Sequence, residues 1–182
     1  MAKENSFYGH SISIVTLGII CLSFFAQTSF AAGRIKFTAV MDKITYNTEE
    51  PIDITFILKN EGKEAVYVNK RFFFSSEEAS KNQKDVYAAI TSPSGQKLAF
   101  KFLYESGYPK TDYFTLLEPG QEVKSEYPRN LRGNFELNET GSYTLTAVYQ
   151  NVFGGELGLE VFKERLNSAP VTFTITKSDQ GS

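Results

Sequence analysis

The side chains of this sequence that offer chemistry are mainly carboxylates. Glycoside hydrolysis uses two carboxyl groups that face one another across the scissile bond, one as the acid and the other as base or nucleophile. The candidates by residue type are Glu49, Glu50, Glu77, Glu78 and Glu156. Neighbouring carboxylates in loops are most often solvated surface groups, so these spacings favour a surface role over catalysis.

Two other patterns suggest chemistry and have a simpler structural explanation. Glu49, Glu50 and Asp53 are hard oxygen ligands of the kind that calcium prefers, but the sequence has no Asp-x-Asp-x-Asp-Gly spacing. Ser94 and Lys97 have the Ser-x-x-Lys spacing of penicillin-binding enzymes, but they fall in a Pro-Ser-Gly turn. We therefore predict no catalytic residue, no metal site and no cofactor.

The single cysteine, Cys21, and the single histidine, His10, both lie in the first 31 residues. This segment has the parts of a signal peptide: a polar start, an apolar run at 12–26, and small residues before a cleavage point after Ala31. Cleavage leaves a mature chain without a Ser-His or Cys-His nucleophile pair and without a disulfide. A retained membrane anchor is the alternative, but 15 apolar residues are fewer than the roughly 20 that a spanning helix needs.

Alternation of apolar and polar residues dominates the rest of the sequence. A period of two is typical of antiparallel strands that cover a core with one face. The clearest alternation covers 35–41, 52–59, 143–150 and 171–176, and weaker strands are predicted at 65–69, 86–91, 97–102 and 121–127. Residues 75–83 are predicted to form a turn of helix, and 178–182 a frayed tail. Residues 32–177 are thus predicted to be all-β, an immunoglobulin-like antiparallel β-sandwich of about seven to nine strands without a disulfide.

The segment from Leu137 to Leu145 contains the most specific local motif. Gly141 comes two residues before Tyr143, which opens a strongly alternating strand. This motif resembles the tyrosine corner of immunoglobulin-like sandwiches, in which the tyrosine hydroxyl bonds back to the preceding connection. Leu145 stands where antibody-type domains have a half-cystine, so aliphatic packing is expected to replace the disulfide.

A wider pattern of turns and strands extends over about residues 35–175. Its parts include Asp42-Lys-Ile-Thr-Tyr46, Glu50-Pro-Ile52, Lys59-Asn-Glu-Gly62 and Leu117-Glu-Pro-Gly120. The pattern resembles the Ig-like domains of bacterial exported proteins. Among these are the non-catalytic N-terminal domain of secreted lysine-directed metalloendopeptidases and the BsuPI-type proteinase-inhibitor domains. The resemblance implies a sandwich fold, but the His-Glu-x-x-His motif is absent, so it implies no protease activity.

Two regions have the composition of a surface for a partner. Aromatic residues lie among polar ones at 70–75 and 100–114, and the connection 151–168 is unusually apolar for a loop. The candidate contact residues are Phe72, Phe73, Tyr104, Tyr108, Tyr113 and Phe153. The alternative for the aromatic residues is that they pack over the edge of the sandwich. Residues 151–168 either add an edge strand that includes Leu159, Val161 and Lys163 or present an apolar tip.

These observations predict a non-catalytic binding module rather than an enzyme. The formal net charge of −2 and the lack of a basic run argue against nucleic acid, and signal cleavage leaves no stable membrane span. We expect an exported protein (periplasmic, cell-surface or secreted) that recognises a protein partner at the cell envelope or outside the cell. The alternatives are a proteinase inhibitor with a rigid loop at 105–113 and a carboxylate-based protein that acts on or binds glycans.

Overall fold

The structure, a computed structural model, describes residues 34–102 and 106–178. The predicted signal peptide at 1–31 and residues 179–182 of the predicted tail lie outside the described residues. The described residues are all-β, with short helical turns in the connections. None of the helices among them is long and apolar enough to cross a membrane.

Eleven strands are present among the described residues. They are β1 Ile35–Met41, β2 Thr45–Asn47, β3 Asp53–Asn60, β4 Val66–Asn69, β5 Val86–Thr91, β6 Phe114–Leu117, β7 Glu122–Lys124, β8 Arg129–Asn130, β9 Gly141–Tyr149, β10 Leu166–Asn167 and β11 Val171–Thr176. The helical turns are α1 Leu131–Asn134 and three 3-10 turns at Lys81–Gln83, Thr111–Tyr113 and Gly155–Leu157. The longest strands coincide with the clearest alternation in the sequence, because one face of each strand is buried.

The strands form two larger sheets and one separate pair. In the first sheet β3 lies between β1 and β7 and also pairs with β8, all antiparallel. In the second sheet β9 pairs antiparallel with β5, β10 and β11, and β2 runs parallel to β11. Strands β4 and β6 form an antiparallel pair of their own.

One hydrophobic core takes side chains from both larger sheets. Phe37 of β1, Phe56 of β3 and Tyr149 of β9 belong to this core and are almost completely buried. The ring of Phe37 lies 5.8 Å from the rings of both Phe56 and Tyr149, centroid to centroid. Aromatic area of this kind supplies much of the hydrophobic stabilisation that a domain without disulfides needs.

The predicted strand at 97–102 is not formed. Lys97 and Phe100 make only isolated bridges, to Thr91 and Phe135. The segment leaves β5 because its main-chain groups are divided between two neighbours: Leu98 N–H donates to Ile90, whereas Lys101 N–H donates to Asn134. The predicted helical turn at 75–83 is reduced to the three residues Lys81–Gln83.

The connection 151–168 also differs from the predicted edge strand. Val161 makes a single parallel bridge to Tyr67, and the two-residue strand β10 comes later, at Leu166–Asn167. The buried Asn151 explains this path because its side-chain amide donates to the carbonyl oxygens of Phe153 and Phe162 at 2.9 and 3.2 Å. These bonds fold the connection back on itself, so it does not run extended beside a sheet.

The turn before β9 depends on Tyr143 and Gly141. The Tyr143 hydroxyl donates to the carbonyl oxygen of Glu139 at 2.8 Å and accepts from the Glu139 N–H at 3.0 Å. Gly141 has φ of 128°, and a Cβ added there would lie 2.9 Å from Cβ of Pro93. Only glycine fits this turn, which brings Glu139 back to the tyrosine hydroxyl.

Replacing Tyr143 by phenylalanine is expected to lower the free energy of unfolding by about 1–2 kcal/mol. The ring would keep its stacking on Phe173, at 5.2 Å between centroids, while the two bonds to Glu139 would be lost. Urea unfolding followed by circular dichroism measures the change. Tyr127→Phe is the matched control, because Tyr127 is 62% exposed and its replacement should change stability by less than about 0.5 kcal/mol. Equal effects of the two variants would contradict the role of the corner.

Candidate functional site

A buried ion pair lies at the base of the candidate site. Asp85, directly before β5, has no exposed surface, and the Arg71 side chain is only 8% exposed. Arg71 Nε donates to Asp85 Oδ2 at 2.6 Å, and a terminal guanidinium nitrogen donates to Oδ1 at 2.7 Å. This two-point geometry fixes the plane of the guanidinium group as well as its position.

Neutral polar groups also form hydrogen bonds with this ion pair. Asp85 also accepts from the Asn69 side-chain amide at 3.1 Å and from the Phe73 N–H at 3.0 Å. The Tyr149 hydroxyl donates to the Asn69 carbonyl oxygen at 3.1 Å. Burial, together with the nearby Asp85 carboxylate, raises the pKa of Tyr149, so the phenol keeps its proton and remains a donor.

Three aromatic rings surround the Arg71 guanidinium. Its central carbon lies 5.5 Å from the ring centroid of Phe73, 6.0 Å from that of Tyr113 and 5.7 Å from that of Phe153. These distances are within the range of cation–π attraction. The other terminal nitrogen of the Arg71 guanidinium donates to the Gly107 carbonyl oxygen at 2.7 Å. Arg71 therefore joins the buried pair to the loop that carries Tyr108.

Tyr108 stands at the outer end of this arrangement. Its side chain is 77% exposed, yet its ring contacts Phe153 edge to face, with the centroids 5.7 Å apart. Pro109 is buried and follows Tyr108 directly, which restricts the backbone of the tyrosine. Three features therefore fix the exposed ring of Tyr108. They are the hydrogen bond from Arg71 to the preceding residue Gly107, the contact with Phe153, and the buried Pro109 that follows. We call Arg71, Phe73, Tyr108, Tyr113 and Phe153 the Tyr108 face.

Only some of the residues predicted to contact a partner are accessible in the structure. Phe72 is completely buried in the main core, so its prediction as a contact residue is corrected. Phe72 has φ of 47°, and this backbone turn directs its ring inward, against Phe56 and Tyr149. Tyr104 lies outside the described residues.

The remaining candidates belong to the Tyr108 face. Phe73 is half-buried, Tyr113 is 38% exposed, and Phe153 is buried beneath Tyr108. Arg71 is the most important residue of this face, but the sequence carries only a weak signal for it, because its role depends on Asp85. The only hint was that Arg71 begins a run of aromatic residues, where a cation can be stacked.

Three of the five carboxylates considered for catalysis have local partners. Glu50 accepts from Lys43 Nζ at 2.8 Å, Glu77 from Lys97 Nζ at 2.5 Å, and Glu156 from the Gly154 N–H at 3.0 Å. These bonds favour the charged form and lower the pKa of all three carboxyls, which disfavours them as general acids. Among residues 34–102 and 106–178, no three Asp, Glu, His or Cys side chains gather as metal ligands do.

A search of protein-family models and a search of curated proteins both find no match to this chain. The contacts and exposure of the Tyr108 face are therefore the basis on which we infer function.

Proposed function

We propose that this chain is an exported immunoglobulin-like β-sandwich that acts as a non-catalytic module and binds a protein partner through the Tyr108 face. The observation that carries the proposal is the exposed Tyr108 ring held on a rigid base. Aromatic and arginine side chains supply most of the energy of protein interfaces. A ring whose loop is already fixed loses little conformational entropy when a partner covers it.

The surroundings of Tyr108 also suit a protein partner. Tyr113 and Phe73 are partly exposed beside it and offer further aromatic area, while Lys110 and Thr111 provide polar groups at the margin. An aromatic centre with a polar rim is the usual composition of a protein-binding patch. A carbohydrate or nucleotide site would need a concave pocket with convergent polar groups, and Tyr108 protrudes instead.

Two further features support the architectural part of the proposal. The two larger sheets share one core, and Tyr143 ties the start of β9 to the connection before it, as in immunoglobulin-like sandwiches. Export rests on the order of polar, apolar and small residues in 1–31.

A proteinase inhibitor is the second candidate function. Inhibitors present a rigid loop, and residues 106–113 are fixed by the Arg71–Gly107 bond, the buried Pro109 and the 3-10 turn Thr111–Tyr113. The same loop would then lie in the active site of a protease. The two functions differ in the identity of the partner and in whether its activity is lost at near-stoichiometric ratio.

Replacing Tyr108 by alanine is expected to weaken partner binding by about thirtyfold or more, because the ring is the central exposed aromatic of the face. The experiment compares proteins retained from envelope and culture-medium fractions by the tagged wild-type chain and by the variant. The dissociation constant is then measured with the identified partner.

Tyr127→Ala is the matched control for this experiment. Tyr127 is also an exposed tyrosine, at 62%, but it does not belong to the Tyr108 face, so binding should stay within about twofold of wild type. Retention of the same protein by Tyr108→Ala would contradict the proposal, as would retention of nothing by the wild type under gentle washing.

A further inference from the structure

An open groove of about 510 Å³ lies between β4 and the segment 158–164. Its floor includes Tyr67 of β4 and Leu116 of β6, which lie directly opposite each other in the register of this strand pair. Leu116 is 40% exposed and Tyr67 is half-buried, so apolar surface remains open to water. Val161 and Phe162 also line the groove and are buried, and the Phe162 N–H donates to the Tyr67 carbonyl oxygen at 2.9 Å.

The charged groups around this groove are mostly acidic. Glu64, Glu160 and Glu164 line it together with one cation, Lys163. All three glutamates are exposed, and among the described residues they have no salt bridge and no hydrogen bond through their carboxylates. The groove therefore combines an apolar floor with a rim of three glutamates and one lysine, which leaves the rim with a net negative charge.

We infer that this groove binds a short basic peptide segment that carries apolar side chains between its positive charges. The apolar side chains would cover Leu116 and Tyr67, and the cationic groups would meet the three glutamates. A groove of about 510 Å³ is within the usual size range of ligand pockets, so it has room for side chains rather than for a single ion. An acidic or uncharged segment would leave the carboxylates without partners, which gives the site its selectivity.

The groove is separate from the Tyr108 face in the residues it uses. Val161 belongs to the groove wall and also packs in a small hydrophobic cluster with Phe114 and Phe153, beneath Tyr108. The two surfaces thus share buried support but no exposed side chain. The inference goes beyond the proposed function. It could be wrong even if the proposed function is correct.

The test is a titration of the isotope-labelled full chain with the end-blocked peptide Lys-Leu-Lys-Leu-Lys, followed by amide chemical shifts at low salt. We expect the largest shifts at 64–67, 116 and 158–164. Glu160→Gln with Glu164→Gln should weaken binding about tenfold, since an exposed ion pair contributes about threefold. The peptide Lys-Ser-Lys-Ser-Lys should bind at least about tenfold more weakly, because it covers no apolar surface, and Glu-Leu-Glu-Leu-Glu should not bind.

Two variants separate specific binding from general attraction. Glu49→Gln with Glu78→Gln removes the same charge away from the groove and should leave the affinity within about twofold. Tyr108→Ala should also leave the peptide affinity within about twofold. Failure of peptide binding can therefore be distinguished from failure of the partner binding proposed for the Tyr108 face. The inference is overturned if the leucine and serine peptides bind equally, if the control pair of glutamates matters as much, or if the largest shifts lie elsewhere.

Discussion

Replacing Asp85 by alanine is expected to lower the free energy of unfolding by about 3–5 kcal/mol. The change would leave the Arg71 guanidinium buried without its carboxylate. It would also remove the acceptor of the Phe73 N–H and one of the two acceptors of the Asn69 side-chain amide. An uncompensated buried charge is among the most destabilising defects that a single substitution creates. Urea unfolding followed by circular dichroism measures the loss.

The control for this prediction is the exposed pair of Lys97 and Glu77. Their side chains are 65% and 42% exposed, so Glu77→Ala should lower stability by less than about 1 kcal/mol despite the close contact. A double replacement, Arg71→Met with Asp85→Leu, should restore much of the stability lost in Asp85→Ala, because it removes both charges together. If Asp85→Ala is no more harmful than Glu77→Ala, the pair does not stabilise the fold as we describe.

Under the proposed function, replacing Asp85 is also expected to affect partner binding. The Arg71 guanidinium that Asp85 fixes is the group that binds Gly107 next to Tyr108. A conservative Asp85→Asn variant that remains folded should therefore weaken partner binding, although Asp85 itself has no exposed surface.

Replacing Gly154 by alanine is expected to cost about 3 kcal/mol of unfolding free energy, through two independent effects. Gly154 has φ of 111°, a conformation that other residues rarely adopt. A Cβ added there would collide with Cγ2 of Val161, a stiff and buried side chain. Thermal or urea unfolding of the variant measures the sum of both effects.

Gly158 provides the matched control for Gly154. Gly158 also has a positive φ, 71°, but a Cβ added there would meet nothing within 4 Å. Gly158→Ala should therefore cost only about 1 kcal/mol, from backbone strain alone. If the two variants lose the same stability, the collision with Val161 is not a constraint on this connection.

The longest strands could be predicted from the sequence because their signal is local. In β1, β3, β9 and β11, alternate residues are buried, and that pattern is written in the order of apolar and polar residues alone. The same reasoning fails for 97–102, where the choice between strand and loop depended on which distant neighbour accepted each N–H. Short segments carry too few residues for their pattern to outweigh such contacts.

The candidate site was only partly accessible from the sequence. The mixture of aromatic and polar residues at 100–114 indicates Tyr108 and Tyr113 as contact residues. Phe153 follows instead from the unusually apolar connection 151–168. The sequence could not separate the buried Phe72 from the half-buried Phe73, because the φ of 47° at Phe72 breaks the alternation that a strand would have.

By itself, then, the sequence determined the class of the domain, the positions of its longest strands and the residue types available for chemistry. The tertiary structure alone decided which polar residues meet. Arg71 and Asp85 are 14 positions apart, and Asn69 and Asn151 are 82 apart, yet all four lie in one buried cluster. Strand alternation is a property of neighbouring residues, whereas such contacts arise only when the chain folds back and removes water from between them.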